Sequence, residues 1–182
     1  MKQSKFGFTL VELLIVIALL GALAVGLLAA LDPFEQLKKG TDTGIRNTVS
    51  ELQGAAIRYY AIKGYMPWCT EQGTCGIDPN STRLDSDAAS VIIGAMAAAG
   101  ELKTNFNELA AAYNTKIYMT GSGSDEEPSM KVCFIPQSKA FRADPNTKYT
   151  VTAIAVDDPT TCKGHTNTAG DEGTIPCYWC VM

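Results

Sequence analysis

The residues of this chain that could do chemistry are few, and most of them are cysteines. Six lie at Cys69, Cys75, Cys133, Cys162, Cys177 and Cys180. Cys177-Tyr178-Trp179-Cys180 has the C-x-x-C spacing of thiol–disulfide enzymes, where a helix opening at the motif lowers the first thiol's pKa. Here only Val181 and Met182 follow, so the motif has no helix behind it and reads as a structural staple. Cys69 and Cys75 enclose the polar run Thr70–Thr74. A bridge there is worth roughly 2–3 kcal/mol in the loop-entropy model, and this is the first pair expected to close. Cys133 and Cys162 are the remaining partners for the C-terminal pair, though spacing alone does not settle connectivity. His165 stands alone in a polar loop, with no tight cysteine pair at zinc-finger spacing beside it. Asp157, Asp158, Asn167, Asp171 and Glu172 gather oxygen ligands of the kind calcium takes. Their spacing matches no recognisable calcium loop, and Asp-Asp-Pro is ordinary turn chemistry. Calcium is therefore a minor alternative, no metal ligand is assigned and no cofactor is expected. No G-x-S-x-G, P-loop or H-E-x-x-H pattern occurs. The chain reads as a protein without catalytic activity, with a membrane-tethered thiol oxidoreductase using Cys177 and Cys180 as the rival of another class.

One more ionisable group stands out by where it sits. A short basic leader, with Lys2 and Lys5, ends in Phe6-Gly7, and an apolar run follows from Phe8 to Leu31. Glu12 is the only charge within that run. As a helix the run is about 36 Å long, enough to cross a hydrocarbon core of roughly 30 Å. A carboxylate at mid-bilayer costs about 2.5–3.5 kcal/mol on insertion scales, so Glu12 needs a compensating partner. An ordinary secretory leader fits poorly, because its apolar core is shorter and small residues follow it at the cut site. Here the small residue, Gly7, precedes the apolar run. Cutting after it removes the leader's charges and keeps the helix.

The run Gly7-Phe8-Thr9-Leu10-Val11-Glu12 with its apolar helix resembles the type IV prepilins and the pseudopilins of type II secretion. The resemblance implies that a prepilin peptidase recognises Gly7 as the last leader residue. It implies that Phe8 becomes the mature N-terminus and is N-methylated. It also implies that Glu12 pairs with the Phe8 ammonium of a neighbouring subunit during assembly. An ammonium and a carboxylate in an apolar medium favour each other strongly, which is consistent with that role. The implied partners are further copies of the chain, the peptidase, an assembly ATPase and an inner-membrane platform protein. The implied location is the cytoplasmic membrane before assembly, head outside, and a cell-surface filament afterwards. A type IV pilus-like subunit serving adhesion, motility or DNA uptake is the leading expectation, and a type II secretion pseudopilin the nearest alternative.

The remaining residues must build what positions that end. The chain of 182 residues carries 15 basic and 19 acidic residues, and loss of residues 1–7 would remove two lysines to leave a net charge of −6. Such an acidic balance with no basic run argues against nucleic acid as a partner. The organisation expected is a leader over 1–7, a transmembrane and filament-core helix over 8–31, an amphipathic continuation over 32–64, and a disulfide-containing head over 65–182. Asp32-Pro33 predicts a kink, or a fresh helix start with Asp32 as cap and Pro33 at the first position. Ile45, Val49, Leu52, Ala56 and Tyr59 recur at helical spacing and form one apolar stripe. Asp42 falls on the opposite, polar side, and Gly40–Gly44 is a candidate weak point. Ser86-Asp87 would cap a helix stopped by Gly100, and Asn107–Tyr113 could add a turn or two. Strands are predicted over Lys116–Thr120, Met130–Ile135, Tyr149–Val156 and Ile175–Val181. The fold class is α+β: a long N-terminal helix, one half for membrane or filament core and one half amphipathic, against a small antiparallel sheet. Tyr65, Trp68, Tyr178 and Trp179 are aromatic candidates for an adhesive patch or for packing.

Overall fold

The computed structural model describes residues 7–30, 32–71, 73–77, 79–122, 129–155 and 177–182. The chain divides into two compact units that meet between Leu37 and Lys38.

In the first unit, α1 (Leu10–Ala30) is apolar except at Glu12. It does not run unbroken into the next helix. α2 (Pro33–Lys63) starts afresh. Asp32 caps it: the carboxylate accepts from the Glu35 N–H at 3.2 Å and the Asp32 carbonyl from the Gln36 N–H at 3.3 Å. Pro33 occupies the first helical position, where its missing N–H costs nothing. The break is thus written in Asp32-Pro33 itself.

The second unit is built around the later part of α2. Ile45, Val49, Leu52 and Ala56 are fully buried and Tyr59 nearly so, so the stripe read from the sequence is the helix's core face. Gly40–Gly44 stays helical. After α2 come a small hairpin, β1 (Cys69–Glu71) with β2 (Thr74–Cys75), and then β3 (Thr82–Arg83). α3 (Asp87–Ala98) is capped by Ser86, whose hydroxyl accepts from the Ala89 N–H at 3.2 Å. It ends in a Schellman motif: the Gly100 N–H reaches the Ala97 carbonyl and the Glu101 N–H reaches Met96. Gly100 has φ +82°, a conformation that glycine takes without steric cost. Arg58 of α2 holds this corner, with Nε 2.9 Å from the Glu101 carboxylate and a second nitrogen donating to the Glu101 carbonyl. α4 (Phe106–Ala110) is short.

The main sheet adds β4 (Ile117–Ser122), β5 (Ser129–Phe134), β6 (Thr147–Tyr149) and β7 (Tyr178–Val181), with α5 (Lys139–Arg142) between β5 and β6. Its order is β3-β4-β5-β7-β6, all neighbours antiparallel. Strand alternation sorts the side chains between two clusters. Ile117, Met119, Val132, Phe134 and Trp179 join the core that contains the α2 stripe. Cys133, Tyr178 and Cys180 join Tyr149 and Ala153 in a second cluster. This is the α+β architecture expected.

Three sequence expectations need correction. The strand predicted over Tyr149–Val156 stops at Tyr149. There the chain turns back, with the Thr150 N–H donating to the Ile154 carbonyl and Ala153 at φ +56°, and Ala155 bridges Tyr149. Alternation of Tyr149, Val151 and Ala153 mimicked a strand, but Ala153 caps a tight turn instead. The segment between α2 and Arg83 is rich in Gly, Thr, Ser, Asn and Pro and reads as loop from its sequence, but β1, β2 and β3 lie in it. Asp42, placed on the polar side of α2, is fully buried. Its carboxylate takes three donors from Gln137 and Ser138, which removes the cost of leaving it unpaired.

Candidate functional site

The N-terminal site is built by the first turn of α1. The backbone has no internal acceptor for the first N–H groups of a helix, so side chains must serve. Thr9 is the residue before α1, and it forms a capping box with Glu12. The Glu12 carboxylate accepts from the Thr9 N–H at 2.9 Å and from the Thr9 hydroxyl at 2.7 Å, and the Glu12 N–H donates to the Thr9 hydroxyl at 3.3 Å. Glu12 is therefore not naked in the single subunit. It is held at the helix N-terminus, where the helix dipole also favours a negative charge. The sequence reading missed this box, although Thr-x-x-Glu directly before an apolar run is its signature.

Gly7 and Phe8 precede the box and are exposed, Phe8 by 75%. Beyond Gly7 itself and its two chain neighbours, no heavy atom lies within 4 Å of where a Cβ on Gly7 would stand. An enzyme acting on the Gly7–Phe8 peptide bond thus meets no obstruction from the described residues. The leader residues 1–6 lie outside the described residues. From Leu10 to Leu28 the helix is long and apolar enough to cross a membrane, and its large side chains from Leu10 to Leu28 are exposed.

The cysteines fall into place around the head. Cys69 and Cys75 are bonded and face each other across the β1–β2 hairpin. Cys133 and Cys180 are bonded between directly opposed positions of β5 and β7. Cys177 is also disulfide-bonded, and since Cys180 is taken by Cys133 the two sulfurs of the C-x-x-C motif do not bond each other. Cys180 lies in a strand, so no helix terminus activates it. Cys162, His165, Asp157, Asp158, Asn167, Asp171 and Glu172 lie outside the described residues. Among the described residues no group of three or more His, Cys, Asp or Glu is placed to hold a metal ion.

The aromatic candidates are packing residues for the most part. Trp68, Tyr178 and Trp179 are all at least nine-tenths buried, and Tyr65 is half-buried against Tyr59. Arg46 of α2 lies over the Trp179 ring, 5.2 Å from its centre, and Tyr178 meets Tyr118 edge to face. They do not make a continuous exposed patch.

These features define a class: a head of α+β architecture carrying a membrane-length apolar helix, with a capped carboxylate at the start of that helix. Comparison with known families carries this further. Residues 2–28 match the family described as the prokaryotic N-terminal methylation motif, so the chain carries a prepilin-type cleavage and methylation motif. That motif supports membership of the type IV pilins and pseudopilins. No curated protein and no solved structure matches the chain.

Proposed function

We propose that this chain is the structural subunit of a type IV pilus-like extracellular filament, made as a membrane-anchored precursor and cut between Gly7 and Phe8. The observation that carries the reading is the junction itself. An exposed Gly7-Phe8 bond stands directly before a capped apolar helix whose single charge is Glu12, inside the matched motif. The basic leader would stay on the cytoplasmic side, in keeping with positive charge remaining inside. Moving α1 from lipid into a filament core exchanges one apolar environment for another, so burial alone supplies little drive. Pairing of the new Phe8 ammonium with Glu12 of a neighbour adds a directional contact. A partner ATPase would supply the work, and prepilin peptidase would make the cut and the methylation.

The motif is shared by pilins and by type II secretion pseudopilins, so the second reading is a short secretion pseudopilus. N-terminal sequencing of the mature protein tests the core of the proposal and should begin at Phe8, N-methylated. A start after Ala24 or Ala29 would mean ordinary signal peptidase and would overturn it. Electron microscopy of cells with and without the gene separates the two systems: surface filaments lost on deletion indicate a pilus, and loss of protein export without loss of surface filaments indicates a pseudopilus.

A further inference from the structure

At the start of β4 and the end of β5 the second unit has a cavity of about 280 Å³. Lys38 and Lys116 line it together with Thr115 and Tyr118, while Ile135 and Pro136 supply an apolar wall. No acidic residue among the described residues lines it. Among the described residues neither lysine makes an ion pair. This is unusual placement for a chain whose overall balance is acidic.

Asp42, whose carboxylate is hydrogen-bonded to the segment that follows the Ile135–Pro136 wall, is not among the lining residues. It accepts from the Gln137 N–H at 3.0 Å and from the Ser138 N–H and hydroxyl, each at 2.7 Å. On the carbonyl side of the same segment, the Arg142 guanidinium donates to Pro136 and Gln137. Asp42 and Arg142 thus hold the two polar sides of Pro136–Ser138. Among the described residues that line the cavity, the charged ones are the two lysines.

We propose that this cavity binds a phosphate group, with Lys38 and Lys116 as the paired cations and the Thr115 and Tyr118 hydroxyls as further donors. Lysine ammonium groups bind phosphate as point charges, and several donors suit a group with several acceptor oxygens. The cavity is larger than a bare phosphate, and the Ile135–Pro136 wall suits the carbon of an ester. Lys38 is ten residues beyond Leu28, where the membrane-length span ends. Ten residues make a contour of about 15 Å if helical and about 35 Å if fully extended. The phosphate of an anionic lipid headgroup is therefore within the chain's reach before assembly, and a soluble phosphate ester is the other source of the same group. The lipid source rests on the membrane-anchored reading above; the phosphate chemistry does not.

The test uses the full chain in nanodiscs of phosphatidylcholine, titrated with inorganic phosphate and followed by calorimetry. Saturable binding at one site per chain is expected. Loss of a hydrogen bond to a charged group costs about tenfold or more, so Lys38→Gln with Lys116→Gln should weaken binding at least tenfold. Lys63→Gln with Lys103→Gln, exposed lysines away from the cavity, should leave it unchanged. Absence of saturable binding, equal loss in both double variants, or equally tight binding of acetate would overturn the proposal. Nanodiscs containing phosphatidylglycerol identify the source: competition with inorganic phosphate indicates the lipid, and undiminished binding indicates a soluble ester. Because phosphate binding is read on the folded chain, it can succeed even if the mature protein proves not to start at Phe8.

Discussion

Asp42 and Ser138 are joined twice, through the Ser138 backbone N–H and through its hydroxyl, each 2.7 Å from the same carboxylate oxygen. The same hydroxyl accepts from the Phe141 N–H and so caps α5. One buried carboxylate thereby ties the Gly40–Gly44 stretch of α2 to the turn that follows β5. Asp42→Ala would leave the buried Ser138 N–H and the part-buried Gln137 N–H without an acceptor. It is expected to destabilise the head by about 2–4 kcal/mol, since hydrogen bonds to charged groups are worth roughly 1.5–3 kcal/mol and orphaned donors add to the loss. Urea unfolding in mild detergent, followed by tryptophan fluorescence, would measure it. A loss below about 0.5 kcal/mol would mean that the contact does not hold α2.

The two bridges with both partners described should differ in worth. Cys133 and Cys180 are separated by 47 residues and Cys69 and Cys75 by six. Loop-closure entropy gives about 4 kcal/mol for the longer loop and about 2 kcal/mol for the shorter. Replacing Cys133 and Cys180 together by serine should lower the unfolding free energy about twice as much as replacing Cys69 and Cys75. Intact mass after alkylation should show no labelled cysteine before reduction and six after it. A single hyper-reactive thiol at Cys177 would instead favour the oxidoreductase reading.

Much of this architecture is legible in the residues. Lys5 to Leu31 carries most of the matched methylation motif and the membrane-length helix, because a membrane-length apolar run with one carboxylate has few explanations. The α2 stripe is equally legible, since Ile45, Val49, Leu52, Ala56 and Tyr59 obey one helical period and all are buried. Asp42 was not legible. Its neighbours on the polar side of α2 are solvated, and the donors that bury it lie 95 residues or more away in sequence. The paired lysines of the cavity are hidden for the same reason, Lys38 being on α2 and Lys116 in the turn before β4. The Thr9–Glu12 box is local and could have been read, but the search for a partner in another subunit drew the reading away from the neighbour three residues back.

Gly121 is expected to tolerate no side chain. A Cβ there would stand 2.5 Å from the Trp68 ring and 2.8 Å from Pro79. Gly121 pairs with Met130 inside the β4–β5 register, so the backbone has little freedom to retreat. Gly121→Ala should cost about 1–3 kcal/mol by overpacking, read as a lower denaturation midpoint. An unchanged midpoint would show that the Trp68 ring moves aside freely.

Alkaline pH should weaken the head through two tyrosines. Burial, reinforced by Tyr65, pushes the Tyr59 hydroxyl above the ordinary tyrosine range, and burial with Tyr118 nearby does the same for Tyr178. A raised pKa means that the folded state holds its proton more firmly than the unfolded state does. The stabilisation is then fully present below the unfolded value of about 10 and is lost as pH climbs through the folded values. Absorbance at 295 nm should show some of the seven tyrosines titrating late, together with unfolding. All seven ionising together near pH 10 without loss of structure would refute this.

Glu12 is the last and most direct test of the assembly reading. Glu12→Ala removes a charge whose insertion cost is about 2.5–3.5 kcal/mol at mid-bilayer, so membrane insertion should be unchanged or improved. It also deletes the carboxylate side of the Thr9 capping box, which costs the first turn of α1 about 1 kcal/mol. If the cap were its only role, filaments would still form at close to normal yield, because a membrane-length helix does not depend on one cap. If Glu12 also receives the incoming Phe8 ammonium, assembly should fall at least tenfold while the membrane pool of processed subunit persists. Thr9→Ala separates the two roles, since it weakens the cap and leaves the carboxylate in place. Quantifying sheared filaments and membrane-bound subunit for both variants gives the answer. Equal, mild effects would assign Glu12 to the cap alone, whereas severe loss only in Glu12→Ala would assign it to the contact between subunits.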